Sequence, residues 1–450
     1  MRDVVVLLIA AAFLIASFTS RFAGAMSYWW FSVFRPHEYI WMDISSYRLT
    51  FVATVLFVVP CVIQGLIPSF RNSISVFILL FLSFAGLASF TAVFEPISFR
   101  QDYLFDFTIA VVAVLFTIKV VDSANKMFTF ILMISVVIGF HAGKSGLQAL
   151  LGMGGNYYGS VNLGGMFSGS NAYALGSALL LFLVLNILII GYNKHALKVM
   201  PLFRKYPRLS KLAKLALPLV SLGIMFNVIS LESRGSALSM FAGIALWFWL
   251  SSLIKIKTML IGSILVIALF SFVELPDGYS ERLSSAFVEQ EDLDASAASR
   301  PHFWNIAIDI VNDYPLGVGP GNYNTLYDSY DYSNGQYGLS RTVHSSHFEV
   351  LSEVGYLGTI VWFLLFGISV FKCFKIRNAV KKQGLNKMHN IFSFHTSNML
   401  IVTIFVFFLG GSFYALAYNP LLWLAFGMVV MLENMQKKKV RKFKEFKSAL

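Results

Sequence analysis

Apolar runs long enough to cross a hydrocarbon core, about 18–20 residues each, recur along almost all of this chain. In lipid every backbone N–H and C=O needs an internal partner, and runs rich in Leu, Ile, Phe and Ala meet that demand as helices. With 57% hydrophobic and 13% charged residues and a mean hydropathy of +0.69, the 450-residue chain falls outside the soluble globular class. It reads as an all-α polytopic membrane protein.

Candidate spans cover residues 4–20, 49–67, 74–94, 103–121, 127–142, 171–192, 215–232, 236–254, 258–273, 355–371, 393–411 and 415–433. That makes about twelve transmembrane helices. They divide the chain into an N-terminal bundle (1–273, with a first outer loop at 143–170), a large outer loop (274–354), C-terminal helices (355–433) and a basic tail (434–450). Alternation puts both termini in the cytoplasm. Residues 22–36 are too short for a span, and Tyr28-Trp29-Trp30 suits an interfacial or re-entrant segment at the aromatic belt. Cys61 and Cys373 lie in or at the end of spans and suggest no disulfide framework.

A net charge of +12 raises the question of nucleic acid, but its distribution answers it. Lys and Arg gather at 194–214, 255–257, 372–387 and 437–447, in short loops on one side, as the positive-inside rule describes. Arg2, Arg71, Lys119 and Lys126 join that side. Orientation does not explain Arg21, Arg35, Arg48, Arg100, Lys144, Arg234, Arg282, Arg300 and Arg341.

The loop 274–354 is long enough to need helices of its own. Apolar residues at 303, 306, 307, 310 and 311 predict an amphipathic helix, ended by Pro315 and the glycines at 317, 319 and 321. GVGPGN matches neither phosphate-binding glycine fingerprint and reads as a turn.

His344 precedes Ser345-Ser346, hydroxyl residues suited to capping the next helix. A neutral imidazole there is placed to take a proton from an attacking hydroxyl; an interfacial histidine bonded to a loop carbonyl is the plainer alternative. His347 reads as an outward-facing loop histidine, because HSSH lacks the third ligand that zinc requires. Arg234 sits near membrane depth, where an arginine is costly unless paired. Arg234, Arg282, Arg300 and Arg341 are suited to converge on one anion, since a guanidinium fork matches phosphate; separately, each is an ordinary salt-bridge candidate. Tyr323, Tyr327, Tyr330 and Asp328 suit stacking and hydrogen bonding to a glycan, or a solvated loop. Asp106 reads as an intramembrane carboxylate facing a partner in the bundle.

Arg300-x-x-x-Trp304, YPLGVGPGNY and HSSHFEVLSEVGYLG together resemble the O-antigen ligase and polymerase superfamily of membrane glycosyltransferases. SRGSAL around Arg234, ERLSS around Arg282 and DASAASR before Arg300 extend the likeness. MRDVVVLLI, WWFSVFRPHEYIW, GKSGLQALLGMGG and GGSFYALAYN are similar to the O-glycosylation ligase branch associated with exosortase systems. The resemblance implies a GT-C-like, metal-independent enzyme of the bacterial inner membrane without a cofactor. It would move a glycan from undecaprenyl diphosphate to a periplasmic hydroxyl of a glycan, a lipid A core or a protein. It assigns His344 as the catalytic residue and Arg234 and Arg300 to the diphosphate. The family's arginine in the first outer loop is missing, and Lys144 is the candidate substitute. A polymerase of the same superfamily and, from another class, a transporter or flippase are the competing readings; no internal repeat favours the transporter.

Overall fold

The computed structural model describes residues 2–36, 40–41, 47–92, 103–152, 169–192, 207–251 and 299–448. All regular elements among them are helices. In chain order these are α1 (Arg2–Ala16), α2 (Arg21–Phe34), α3 (Leu49–Ile63), α4 (Ser73–Thr91), α5 (Tyr103–Val120), α6 (Ala124–Leu150), α7 (Ser170–Tyr192), α8 (Pro207–Ser230), α9 (Arg234–Ser251), α10 (Arg300–Asp313), α11 (Tyr323–Tyr330), α12 (Ser346–Lys382), α13 (Met388–Gly410) and α14 (Pro420–Ser448). Arg282, the 258–273 span and most of loop 143–170 lie outside the described residues.

Among the described residues, α4, α5, α7, α12 and α13 have the length and apolarity to cross a bilayer. A sixth, α6, qualifies if its two legs, bent by 41° between Val137 and Gly139, count as one span. α7 and α13 sit deepest, each 83% buried over its most apolar window. The other long helices pack around them in a multi-pass membrane protein.

Basic side chains gather at one end of this bundle, where Lys372 pairs with Glu433 at 2.7 Å and Asn72 joins them. His344 lies at the opposite end, at the start of α12, so the two ends are called the basic face and the His344 face. Helices α6 and α8 touch backbone to backbone: a Cβ on Gly146 would lie 1.7 Å from the Gly223 carbonyl oxygen, and one on Gly223 would lie 2.2 Å from that of Gly143. Small residues at such crossings replace a hydrophobic drive that is absent in lipid.

The N-terminal leg departs from the sequence reading. Residues 21–34 form a full helix inside the bundle, with Tyr28, Trp29 and Trp30 at 5% exposure or less. The Trp29 indole N–H donates to Thr117 Oγ1 at 2.9 Å. The exposed aromatic residues near this end of the bundle are instead Trp41, Tyr47, Phe51, Tyr103 and Phe105. The α2 helix also reverses the chain. Thr50 Oγ1 donates to Phe31 O at 3.5 Å, pairing the end of α2 with the start of α3, while the Trp41 N–H donates to Asp3 Oδ2 at 3.2 Å. The start of α1 therefore stands on the His344 face, and Arg21 lies towards Cys61 near the far end of α3. Arg2 and Arg21 exchange the sides that alternation over twelve spans assigned them. The segment read as interfacial or re-entrant is a helix within the bundle, one leg of the α1–α2 hairpin.

Candidate functional site

The lobe at the His344 face is organised by a break in α12. Gly355 has φ 73° and ψ −174°, which only glycine adopts freely, and it divides the helix into a first leg (residues 346–354) and the long span. Such a break strips carbonyls of their helical donors, and the 315–322 turn supplies replacements. Val318 N–H donates to Ser352 O at 3.1 Å and Gly319 N–H to Glu353 O at 2.8 Å, while Tyr356 N–H donates to Pro315 O at 3.1 Å. A Cβ on Gly317 would lie 2.5 Å from the Glu353 carbonyl. The glycine-rich segment is thus a turn bolted to a helix. The amides of Val318 and Gly319 are spent on protein and offer no phosphate cradle.

The amphipathic α10 lays Phe303, Ile306, Ala307 and Ile310 into a small core shared with Val318, Tyr323 and Tyr327. Trp304 stacks on Phe348 of α12, ring centres 5.2 Å apart and nearly parallel. The buried Trp304 indole N–H has no hydrogen-bond partner among the described residues. His302 and Asp331 pin the far side of α10, with Nε2 and Oδ1 2.8 Å apart and both side chains buried. Burial alone would raise the Asp331 carboxyl, but hydrogen bonds from Ser333, Gly335 and His302 outweigh it and hold it down to about 2.

His344 stands in the left-handed region, φ 48°, at the end of the loop that leads into α12. Ser345 is the N-cap, its side chain accepting from the Phe348 N–H at 3.5 Å. The next residue ties the helix start to the loop after α13: Ser346 N–H donates to Gly411 O at 2.7 Å, and Ser346 Oγ donates to Tyr414 O at 2.6 Å. Glu349 accepts from the Ala417 N–H at 2.8 Å. The imidazole is half-buried, rests 5.5 Å from the Phe303 ring centre, and has Thr342 Oγ1 3.3 Å from its Nε2. Burial, then the charges of Arg300 and Arg341, lowers its pKa from 6.5 to about 4. It is neutral at physiological pH.

Phe413 touches one of the predicted arginines and the chain neighbour of another. The Arg300 guanidinium lies over its ring, 5.4 Å from the centre. The first turn of α9, which starts at Arg234, presses Gly235 against the same ring, where a Cβ would lie 2.8 Å from the aromatic carbons. Ser233 caps that turn and shares a short hydrogen bond with the Tyr414 hydroxyl. Arg341 approaches from the other side, its guanidinium 5.9 Å from the Phe303 ring centre. Arg300, Arg341 and His344 thus meet around α10, and Phe413 brings α9 with Arg234 to them. Local sequence offered no signal for Phe413 and Tyr414 beyond their place in a family-like motif, because the contact spans more than a hundred residues of chain.

Other predicted residues fall elsewhere. Lys144 is exposed on α6 beside His141, outside the contacts that gather the arginines among the described residues. Tyr323 and Tyr327 are core residues at 1% and 0% exposure, the Tyr323 hydroxyl donating to Phe303 O at 2.8 Å. Their rings are closed to a glycan. Tyr330 donates to Asp313 at 2.7 Å, and Asp328 accepts from the Ser340 N–H at 2.7 Å, a loop-fastening role. His347 is no outward loop residue: it sits in the first turn of α12, donating from Nε2 to Phe408 O at 3.0 Å and accepting at Nδ1 from the Trp362 indole at 3.0 Å. With both nitrogens engaged, the HSSH pair does not form a chelating pair.

Residues 218–363 match the family model described as O-Antigen ligase, a stretch that contains Arg234, Arg300, Arg341 and His344. Residues 1–197 match a second model, described as a family of unknown function (DUF5935). No curated protein matches the chain.

Proposed function

Its domain at residues 218–363 places this chain in the O-antigen ligase superfamily, and from that premise we propose that it transfers a glycan from undecaprenyl diphosphate to an acceptor hydroxyl. The observation that carries this reading is a neutral histidine flanked by two arginines on the face opposite the basic one. His344 takes the proton of the acceptor hydroxyl as its oxygen attacks the anomeric carbon. The bond from that carbon to the diphosphate oxygen breaks, and the leaving diphosphate gains negative charge. Arg300 and Arg234 hold that charge with fixed donors, which stabilise it better than reorganising water does. Burial, then Arg300 and Arg341, keep the imidazole unprotonated. By the positive-inside rule the basic face is cytoplasmic, so the reaction belongs to the periplasmic face of the inner membrane. The acceptor is a glycan, lipid A core or protein hydroxyl, and neither cofactor nor metal enters the scheme.

Transfer from a lipid-linked glycan by the purified protein tests this reading. His344→Ala should lose about 10²–10⁴ in rate while still binding donor, because the base acts on the acceptor. His347→Ala should retain much more activity, and EDTA should leave the unmutated protein active. Full activity of His344→Ala would remove the proposed base; loss with EDTA that zinc restores would remove the metal-free scheme.

A further inference from the structure

Three charged side chains of the N-terminal region take no part in this chemistry: Arg35, Arg48 and Asp106. α2 ends just before Arg35, α3 starts just after Arg48, and Asp106 lies in the first turn of α5. The three helix ends meet at the His344 face around a cavity of about 280 Å³. Its polar lining is Arg35, Arg48, Asp106, Tyr28, Ser32 and Thr50. Asp106 and Arg48 are exposed and line the cavity. Exposed Phe51 and Phe105, with ring centres 6.0 Å apart, form an apolar wall.

Backbone conformation marks the same place. Among the described residues, non-glycine positions with positive φ are Arg35, Arg48, Glu232, Asn334, Ser340 and His344. Such conformations cost of order 1–3 kcal/mol and concentrate at functional sites. His344 belongs to the arginine-histidine site and Glu232 precedes the first turn of α9; Arg35 (φ 49°) and Arg48 (φ 42°) flank the cavity. Two guanidinium groups against one carboxylate favour an anion. The carboxylate and the three hydroxyls place acceptors beside the guanidinium donors in the same lining, a mixture that suits a polyol better than a bare anion. The volume lies near the lower limit of small-molecule sites, about 300 Å³, enough for one ring.

We propose that this cavity binds a single acidic sugar residue, its charge held by Arg35 and Arg48 and its ring hydroxyls by Asp106. The choice of a sugar among hydroxylated anions rests on the glycan reading above. The charge can come from a carboxylate or a phosphate ester, and the test separates the two. The first turn of α5 links the cavity to the lobe: Tyr103 lies against Gly321 and Phe107 against Tyr418, ring centres 5.2 Å apart. A sugar held here would therefore occupy a subsite on the same face as His344.

The experiment is equilibrium binding, without turnover, to the full-length protein in detergent, read by saturation-transfer NMR. Glucuronate, glucose 1-phosphate, glucose and inorganic phosphate are titrated in turn. At least one acidic sugar should bind saturably and about tenfold or more tighter than glucose or phosphate, the margin of one charge-assisted hydrogen bond. Arg48→Gln should erase the margin over glucose, and Asp106→Asn should weaken sugars whether charged or not. His344→Ala should bind as the unmutated protein does, even when transfer is lost, so this proposal and the transfer reading fail separately. Absence of saturable binding by both acidic sugars to the unmutated protein would overturn the proposal, whatever the variants do. So would glucose or phosphate binding as tightly as the acidic sugars.

Discussion

Residues 1–197 and residues 218–363, the two stretches matched by family models, use their charges and rings in opposite ways. In the N-terminal stretch the large rings build the interior: Trp29 and Trp30 are buried among Tyr28, Phe31 and Phe130, and the charges Arg35, Arg48 and Asp106 border a cavity. In the ligase domain a smaller core supports rings that hold cations, Phe303 beneath Arg341 and, from the neighbouring loop, Phe413 beneath Arg300. Its loop backbone is fastened to the α12 break by hydrogen bonds. The difference teaches that helix packing decides where a span lies, whereas a site at a membrane face depends on backbone bonds that lock short loops. The first should tolerate conservative change in polar residues and the second should not.

The largest effect expected is all-or-none and concerns the N-terminal hairpin. A cysteine at Asp3 should react with a membrane-impermeant thiol reagent from the side that modifies a cysteine at Asn334, and one at Gln64 should react only from the opposite side. Labelling of Asp3→Cys and Gln64→Cys from one side would dissolve the hairpin and restore the cytoplasmic N-terminus read from the sequence.

In the ligase domain, Arg234→Ala and Arg300→Ala should each lower transfer by about 10²–10³, the usual loss when one fixed donor to a developing anion is removed. Protein level should hold, because neither change opens the core. Wild-type rates from both variants would make the arginines structural and the comparison between the regions empty.

Next in size is Gly355→Ala. Its Cβ would lie 2.4 Å from Pro315 O and Leu316 C at a φ of 73°, which costs on the order of 2–4 kcal/mol. The 315–322 turn should loosen and transfer should fall, while the long span of α12 stays inserted. Limited proteolysis of the lobe would register this; an unchanged pattern with unchanged activity would show that the break needs no glycine.

Much of this was legible in the sequence, for reasons that differ by residue. Arg234, Arg300 and Arg341 stood out because the positive-inside rule failed to explain them. His344 stood out because it preceded a capping serine pair. Tyr323 and Tyr327 misled because a polar, tyrosine-rich segment reads as solvated, although their i, i+4 spacing puts both on one face of α11, which the structure buries. Residues 21–34 misled by length alone, since a helix of 14 residues falls short of a bilayer yet fits within a bundle that surrounds it. Phe413 was hidden because tertiary contact, with no local pattern, brings it to Arg300.

The smallest effect tests how the ligase domain sets its histidine. Three causes lower the His344 pKa to about 4: burial first, then Arg300, then Arg341. Base function requires the neutral ring, so transfer should stay level from neutral pH downwards and fall only as pH passes through about 4. Stability has the same sign. The folded pKa lies below the unfolded 6.5, so the unfolded chain takes up the extra proton between those values, and stability is lost as pH falls from 6.5 towards 4. Arg341→Gln removes the smallest of the three causes and leaves burial and Arg300 in place. Its acidic limb should move up in pH, but stop short of 6.5, with little change in the plateau rate. A pH–rate profile of the two proteins measures both. An unmoved limb would show that the exposed Arg341 is screened by solvent, and that Arg300 together with burial sets the imidazole.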